Sequence, residues 1–496
     1  MAQHFKSSTS SWRKLLFLSA ILVIAIFLSY TVSRNIFITS IIFGGILLVA
    51  VTLFWPWMLT LVVFFLLYSN TVAIAIQYHH VPYIVGGLLI GLLLIPLVKI
   101  LVIDREKVII NRTLLLMLIF ISIQSVGAIF ASRPGIAIDK VITFLLEGLV
   151  LYFLVLNTVR TPRMLRYSIW AVVVAGLLMG AISFYQEITH TYDNNYWGFA
   201  QWGTSFGTGQ SNLLGDVVAP RLEGPIGDDN RYAQIMVVIA PIALFLAIGE
   251  QDIKRKVLPL VATLLIIVGT LLTYSRGGLI ALVFVIILIV LLRFIKLRYL
   301  AFLLVVALLV PIAVPNFAVR LTRLQNITIS GLLSNSSTSG ITSADSSVQG
   351  RANEMISSAL MFADYPLFGV GPGNYAVHYQ EYALKAGFNV KLANRQPHTL
   401  YGGIAAENGI FGIICFLLIL YLTLRDLYKG RLALLGSNFT LASIMTGLFL
   451  GVIAYMVTGI FLHANFIRFF WLIMGLAGAA VNIYQSGLTA DNKATL

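Results

Sequence analysis

The chain has 496 residues, 59% hydrophobic and only 10% charged, with a mean hydropathy of +0.92. Soluble domains carry about 25% charged residues, so this composition excludes a soluble enzyme or binding module and indicates a polytopic helical membrane protein. The net charge of +14 reflects the bias of basic residues towards cytoplasmic loops, and no nucleic-acid partner is expected.

A membrane-crossing helix takes about 20 mostly apolar residues. In chain order the qualifying windows are 14–33, 36–54, 57–77, 82–103, 113–131, 137–157, 166–185, 232–250, 257–274, 278–295, 299–316, 402–423, 437–459 and 465–485. The expected fold is all-α, a bundle of about 12–14 transmembrane helices in the lipid bilayer. Short basic loops, such as Lys254-Arg255-Lys256 and the stretch holding Arg425, Lys429 and Arg431, place one set of loops and both termini in the cytoplasm. Lys14 opens a run long enough to span, so no cleaved signal peptide is expected. The single cysteine, Cys415, lies in an apolar run, leaving no disulfide framework and no thiol metal site.

Two long loops fall on the other side. The chain then divides into N-terminal helices (1–185), a first outer loop (186–231), central helices (232–316), a large outer loop (317–401) and C-terminal helices (402–496). Basic residues on the outer side are mostly arginine, among them Arg221, Arg231, Arg276, Arg351 and Arg395. Lysine would serve topology equally well, whereas the planar arginine fork grips phosphate oxygens in pairs. An anionic ligand is one explanation; lipid headgroups, or pairing with Glu223, Asp228 and Asp229, is the other.

The first outer loop sets His190, Tyr192, Tyr196, Trp197 and Trp202 among Asp, Asn and Gly. Such a surface suits sugar rings, which need flat apolar faces and hydrogen-bonding groups, and it equally suits an aromatic belt at the membrane interface. In the larger loop, Arg351 to Tyr382 reads as helix, turn and helix, with Pro366-Leu367-Phe368-Gly369-Val370-Gly371 opening the turn. The loop closes on Arg395 and His398, where it meets a membrane helix. Polar groups in such a place are costly and usually functional, although a helix-end histidine can simply reach the interface.

Four elements stand out in order. Arg221-Leu222-Glu223-Gly224-Pro225 leads through Asp228-Asp229-Asn230 into a span at Ala233. Thr273-Tyr274-Ser275-Arg276-Gly277-Gly278 is a tight turn whose glycines would let helices and backbone N–H groups approach a ligand. The third is Arg351 with the Pro366 turn. The last is His398-Thr399, followed by Gly409 and Gly412, whose small size would let helices pack closely.

Together these resemble the O-antigen ligase and polymerase family, the Wzy C-terminal domain family, over roughly residues 215–425. Two positions depart from its pattern: Thr399, where the family commonly has Asn, Ser or Gln, and Ile280, where it has Leu. The resemblance implies a membrane glycosyltransferase of the bacterial inner membrane, with its active site on the outer, periplasmic face. It would take a glycan from an undecaprenyl diphosphate carrier and pass it to a glycan, lipid or protein acceptor, without metal or other cofactor. Arg221 and Arg276 would hold the diphosphate and His398 would act as base. Arg351, Arg395, Asn230, Tyr274 and Tyr401 would bind substrate.

The chemistry agrees. A departing diphosphate becomes more anionic in the transition state and calls for fixed positive charge. The chain has no DxD pair to recruit a metal cation. A histidine, whose ordinary pKa is about 6.5, suits removal of a hydroxyl proton. Glu407 and Asn408, two to three turns along the same helix, would orient the site or serve as structural intramembrane polar groups. The competing class is an anion or solute transporter, for which Asp139, Lys140 and Glu147 would mark an ion pathway.

Overall fold

The computed structural model describes residues 55–203, 221–295, 343–388, 395–462 and 467–494, together with Ser19, Leu22 and Ile26. The windows at 14–33, 36–54 and 299–316 therefore lie outside the described residues, apart from those three positions. Among the described residues, nine helices are long and apolar enough to cross a membrane, or ten if a bent pair counts as one span. The all-α, polytopic expectation holds.

In order, the helices are α1 (Pro56–Tyr68), α2 (Thr71–His79), α3 (Ile84–Ile103), α4 (Arg112–Ile129), α5 (Pro134–Thr158) and α6 (Pro162–Thr189). Two short strands follow, β1 (Gln201–Gly203) and β2 (Arg221–Gly224). Then come α7 (Asp229–Gly249), α8 (Ile253–Leu272), α9 (Arg276–Leu291), α10 (Ser343–Asp364), α11 (Tyr375–Lys385), α12 (Leu400–Leu434), α13 (Phe439–Thr458) and α14 (Ile467–Ala494).

Two windows differ from a simple span. The 57–77 window is α1 and α2, bent by 59°. The bend falls where Asn70 takes a left-handed conformation (φ 58°), one that asparagine tolerates better than most residues. The 278–295 window is α9, which at 16 residues is shorter than a full span.

The centre of the bundle is α7, whose apolar window is 94% buried, as expected for a helix that is apolar all round. Small residues bring its neighbours close. A Cβ at Gly451 of α13 would lie 2.8 Å from the Val238 carbonyl of α7, and one at Gly180 of α6 would lie 2.4 Å from the Leu265 carbonyl of α8. Where the hydrophobic effect does not separate helix from lipid, such close backbone contact drives association.

The break in α12 explains the turn that opens on Pro366. Gly409 is non-helical (φ 64°, ψ −163°), which strips α12 of part of its backbone hydrogen-bond ladder. The turn replaces it: Val370 N donates to the Ala406 carbonyl (2.9 Å), Gly371 N to Glu407 O (3.1 Å), and Ile410 N donates to Pro366 O (2.7 Å). Leaving such groups unpaired costs about 1–3 kcal/mol each. A Cβ at Gly409 would sit 2.2 Å from the Leu367 carbonyl oxygen, and one at Gly369 would sit 2.3 Å from the Glu407 carbonyl carbon. Gly409 thus admits a loop backbone where close helix packing was expected, while Gly412 does face another helix, at Phe120 of α4.

Candidate active site

Arg221 opens β2, which pairs antiparallel with β1 so that Gly203 stands opposite Arg221 and Trp202 opposite Leu222. Its Nε donates to the Thr273 carbonyl (2.9 Å), and its Nη1 pairs with Asp229 Oδ2 (2.6 Å). Thr273 belongs to the turn between α8 and α9, so Arg221 is pinned beside the turn that carries Arg276. Asn230 completes the stitching, accepting from Ser275 Oγ (2.8 Å) while its amide donates to Asp229 Oδ1 (2.7 Å). Ser275 caps α9 by accepting from Gly278 N (3.3 Å). Arg276 is the first residue of that helix and is exposed.

Tyr274, just before the cap, is left-handed (φ 53°). For a bulky residue this is a strained conformation, of a kind that gathers at functional sites. Gly277 and Gly278 lie against neighbouring parts of the protein. A Cβ at Gly278 would lie 2.8 Å from Ala233 Cβ of α7 and one at Gly277 3.4 Å from Phe461, so both glycines serve protein packing.

Arg351, on α10, joins the two arginines. Burial holds its pKa below the usual guanidinium value; Glu354 opposes that shift, and the like charges of Arg276 and Arg221 add to it. Arg276 in turn feels the charge of Arg221. Three arginines from β2, α9 and α10 therefore lie within charge range of one another; Asp229 pairs with Arg221, and Glu354 is the stronger counter-charge at Arg351. Gathering like charges in a half-buried place opposes folding, and an anionic ligand would offset that cost.

His398 joins the site through Glu354, on the same helix as Arg351. Its Nδ1 lies 2.5 Å from Glu354 Oε2, and its backbone N donates to the same oxygen (3.0 Å). Arg395 Nε is 2.5 Å from Glu354 Oε1, a contact too poorly aligned for a hydrogen bond that acts as charge pairing. Glu354 itself is fully buried. Glu354 is not part of the four sequence elements. The signal was present in its spacing: an acid three residues after Arg351 shares a helix face with it.

The remaining expected residues separate. The Tyr401 hydroxyl donates to the Met456 carbonyl (2.8 Å), inside the bundle. Thr399 caps α12 by accepting from Gly402 N (3.4 Å), a task Thr shares with Asn and Ser. Glu407, Lys140 and Glu147 line a different cavity of about 160 Å3, walled by rings such as Phe144 and Trp471. There Glu147 pairs with Arg468 at 3.4 Å, and Glu407 accepts from Tyr375 N (3.4 Å). Among the described residues, no group of three or more His, Cys, Asp or Glu is placed to hold a metal ion.

In the first loop, His190, Tyr192 and Trp202 form a run of rings, with centroids 6.1 and 6.2 Å apart. Tyr196 and Trp197 are both left-handed, and Trp197 is 74% exposed. Glu223, next to Leu222 on β2, has its carboxyl pushed up to about 7. Burial is the main cause and the charges of Asp229 and Asp228 add to it, against Arg221.

Residues 261–417 match the family model described as O-antigen ligase, the family whose pattern the motifs resemble. The match contains Arg276, Arg351, Glu354, Arg395 and His398, together with the turn that fills the break in α12. Arg221 and Asn230 lie outside it and join the site through the contacts given above. No curated protein matches the chain.

Proposed function

We propose that the protein is a membrane glycosyltransferase that moves a glycan from an undecaprenyl diphosphate carrier to an acceptor at the outer face of a bacterial inner membrane. The observation that carries this reading is the meeting of Arg221, Arg276 and Arg351 beside a histidine held by a buried carboxylate. In the reaction an acceptor hydroxyl oxygen attacks the anomeric carbon, and the bond to the diphosphate oxygen breaks with its electron pair leaving on the diphosphate. His398 Nε2 takes the hydroxyl proton, and the arginines hold the charge that grows on the leaving group. Direct attack of this kind inverts the anomeric centre. The acceptor is a second carrier-linked glycan in a polymerase, or a lipid or protein in a ligase. The bias of basic residues towards the opposite loops supports the outer-face assignment.

Replacing Arg276 or His398 by Ala tests the reading. Each variant is expected to lose transfer while still inserting and melting like the wild type; activity retained in either removes that residue from its role. Because positive charge comes from side chains, EDTA is expected to leave the rate unchanged. Loss of activity in EDTA, restored by magnesium, would contradict the metal-free scheme.

A further inference from the structure

We propose that Glu354 is the positioning residue of this site, and that α10 sets the base and the diphosphate clamp as one part. The inference rests on the transferase reading above. An imidazole presents two nitrogens, and only the one without a proton can accept one. Donation from Nδ1 to Glu354 Oε2 assigns the resident proton to Nδ1 and directs Nε2 to the acceptor hydroxyl. The second bond to the same oxygen, from the His398 backbone, fixes the main chain that carries the ring. When Nε2 takes its proton, the new imidazolium forms beside a carboxylate already in place, with no reorganisation at the moment of reaction.

Glu354 is itself held, at its main chain and at its carboxylate. Tyr375 donates to the Glu354 carbonyl (2.9 Å), and Arg395 pairs with Oε1. Gly350 leaves the space that this pairing needs, since a Cβ there would lie 2.8 Å from Arg395 Nη2. Arg351 and Glu354 stand one turn apart on α10, which puts them on one face. The first lies within charge range of Arg276 and Arg221, and the second is bonded to His398. A diphosphate gripped by Arg351 and a base held by Glu354 are therefore set by one helix.

The test uses the full chain in nanodiscs, with an undecaprenyl diphosphate-linked oligosaccharide as donor. Glu354→Ala and Glu354→Gln are expected to lower kcat by about 10²–10⁴-fold and to leave the KM for the donor little changed. A second readout does not depend on turnover. Solid-state 15N NMR of histidine-labelled protein, with the His398 signals assigned by their loss in H398Q, is expected to show the Nδ1–H tautomer in the wild type. In E354Q, whose amide can donate to Nδ1, the Nε2–H tautomer is expected. An unchanged kcat, a defect confined to KM, or an Nε2–H tautomer in the wild type would each overturn the proposal. Should Glu354→Ala melt before assay, E354Q decides. Should the wild type transfer no glycan, the transferase reading fails while the tautomer still decides the role of Glu354.

Discussion

At the scale of single residues the site is a charge problem. The charges of Arg221 and Arg276 both bear on Arg351, where Glu354 opposes them, and Asp229 is paired with Arg221. Replacing Arg276 by Lys keeps the charge and removes the planar fork. We expect binding of inorganic pyrophosphate to weaken by about tenfold, read by calorimetry; unchanged affinity would reduce Arg276 to a point charge. Glu223 gives a pH signature. Its carboxyl is pushed up to about 7, so the folded protein holds a proton there that the unfolded chain releases above its ordinary carboxylate range. That group therefore destabilises the fold increasingly as pH rises through the window from about 4.5 to 7. Glu223→Gln should melt higher than the wild type at pH 8, with the gap closing near pH 5; an equal gap at both pH values would contradict the shift.

Arginines and a histidine are legible in the sequence because charge on an apolar background needs a reason. Glu354 was not, since an acid in a polar loop is unremarkable until the fold buries it against His398. The second bond of each pair is likewise a product of distance along the chain: Thr273 lies 52 residues from Arg221, and Glu354 lies 44 from His398.

At the scale of elements, composition alone located the long spans, because about 20 apolar residues have few other uses. It located neither the 59° bend between α1 and α2 nor the break in α12. The bend sits at left-handed Asn70, whose side chain bonds to Pro225 and Arg468 far along the chain, and the break depends on backbone groups whose partners lie in the Pro366 turn. The Pro366 turn and Gly409 form one hydrogen-bonded unit, which ties the loop carrying Arg351 and Glu354 to the helix that begins beside His398. Gly409→Ala and Gly369→Ala must place a Cβ on a backbone with positive φ and no room. Each should cost more than about 3 kcal/mol and yield protein that melts well below the wild type. Gly87→Ala, with nothing within 4 Å of its new Cβ, is the control and should melt like the wild type. A wild-type melt for Gly409→Ala would mean that the break is not built as described.

At the scale of the molecule, the arginines, the histidine and the loop helices α10 and α11 meet where β2, α7, α9 and α12 begin. The sidedness of that end is testable because the chain has a single cysteine. In a Cys415→Ser background, Asp193→Cys in the first loop should react with a membrane-impermeant maleimide in intact cells. Lys254→Cys, at the start of α8, should react only after permeabilisation. The reverse pattern would put the site in the cytoplasm and exclude an outer-leaflet donor. The cavity that holds Lys140, Glu147 and Glu407 is where the competing ion pathway would run.

The most direct measurement is therefore of products. Purified protein in nanodiscs is given an undecaprenyl diphosphate-linked oligosaccharide, with and without lipid or protein acceptors, and the lipid and glycan fractions are read by mass spectrometry. Free undecaprenyl diphosphate together with a lengthened or newly linked glycan, lost in the Arg276→Ala and His398→Ala variants, is the predicted result. Intact donor with every acceptor, alongside anion uptake by the same protein in proteoliposomes, would contradict it.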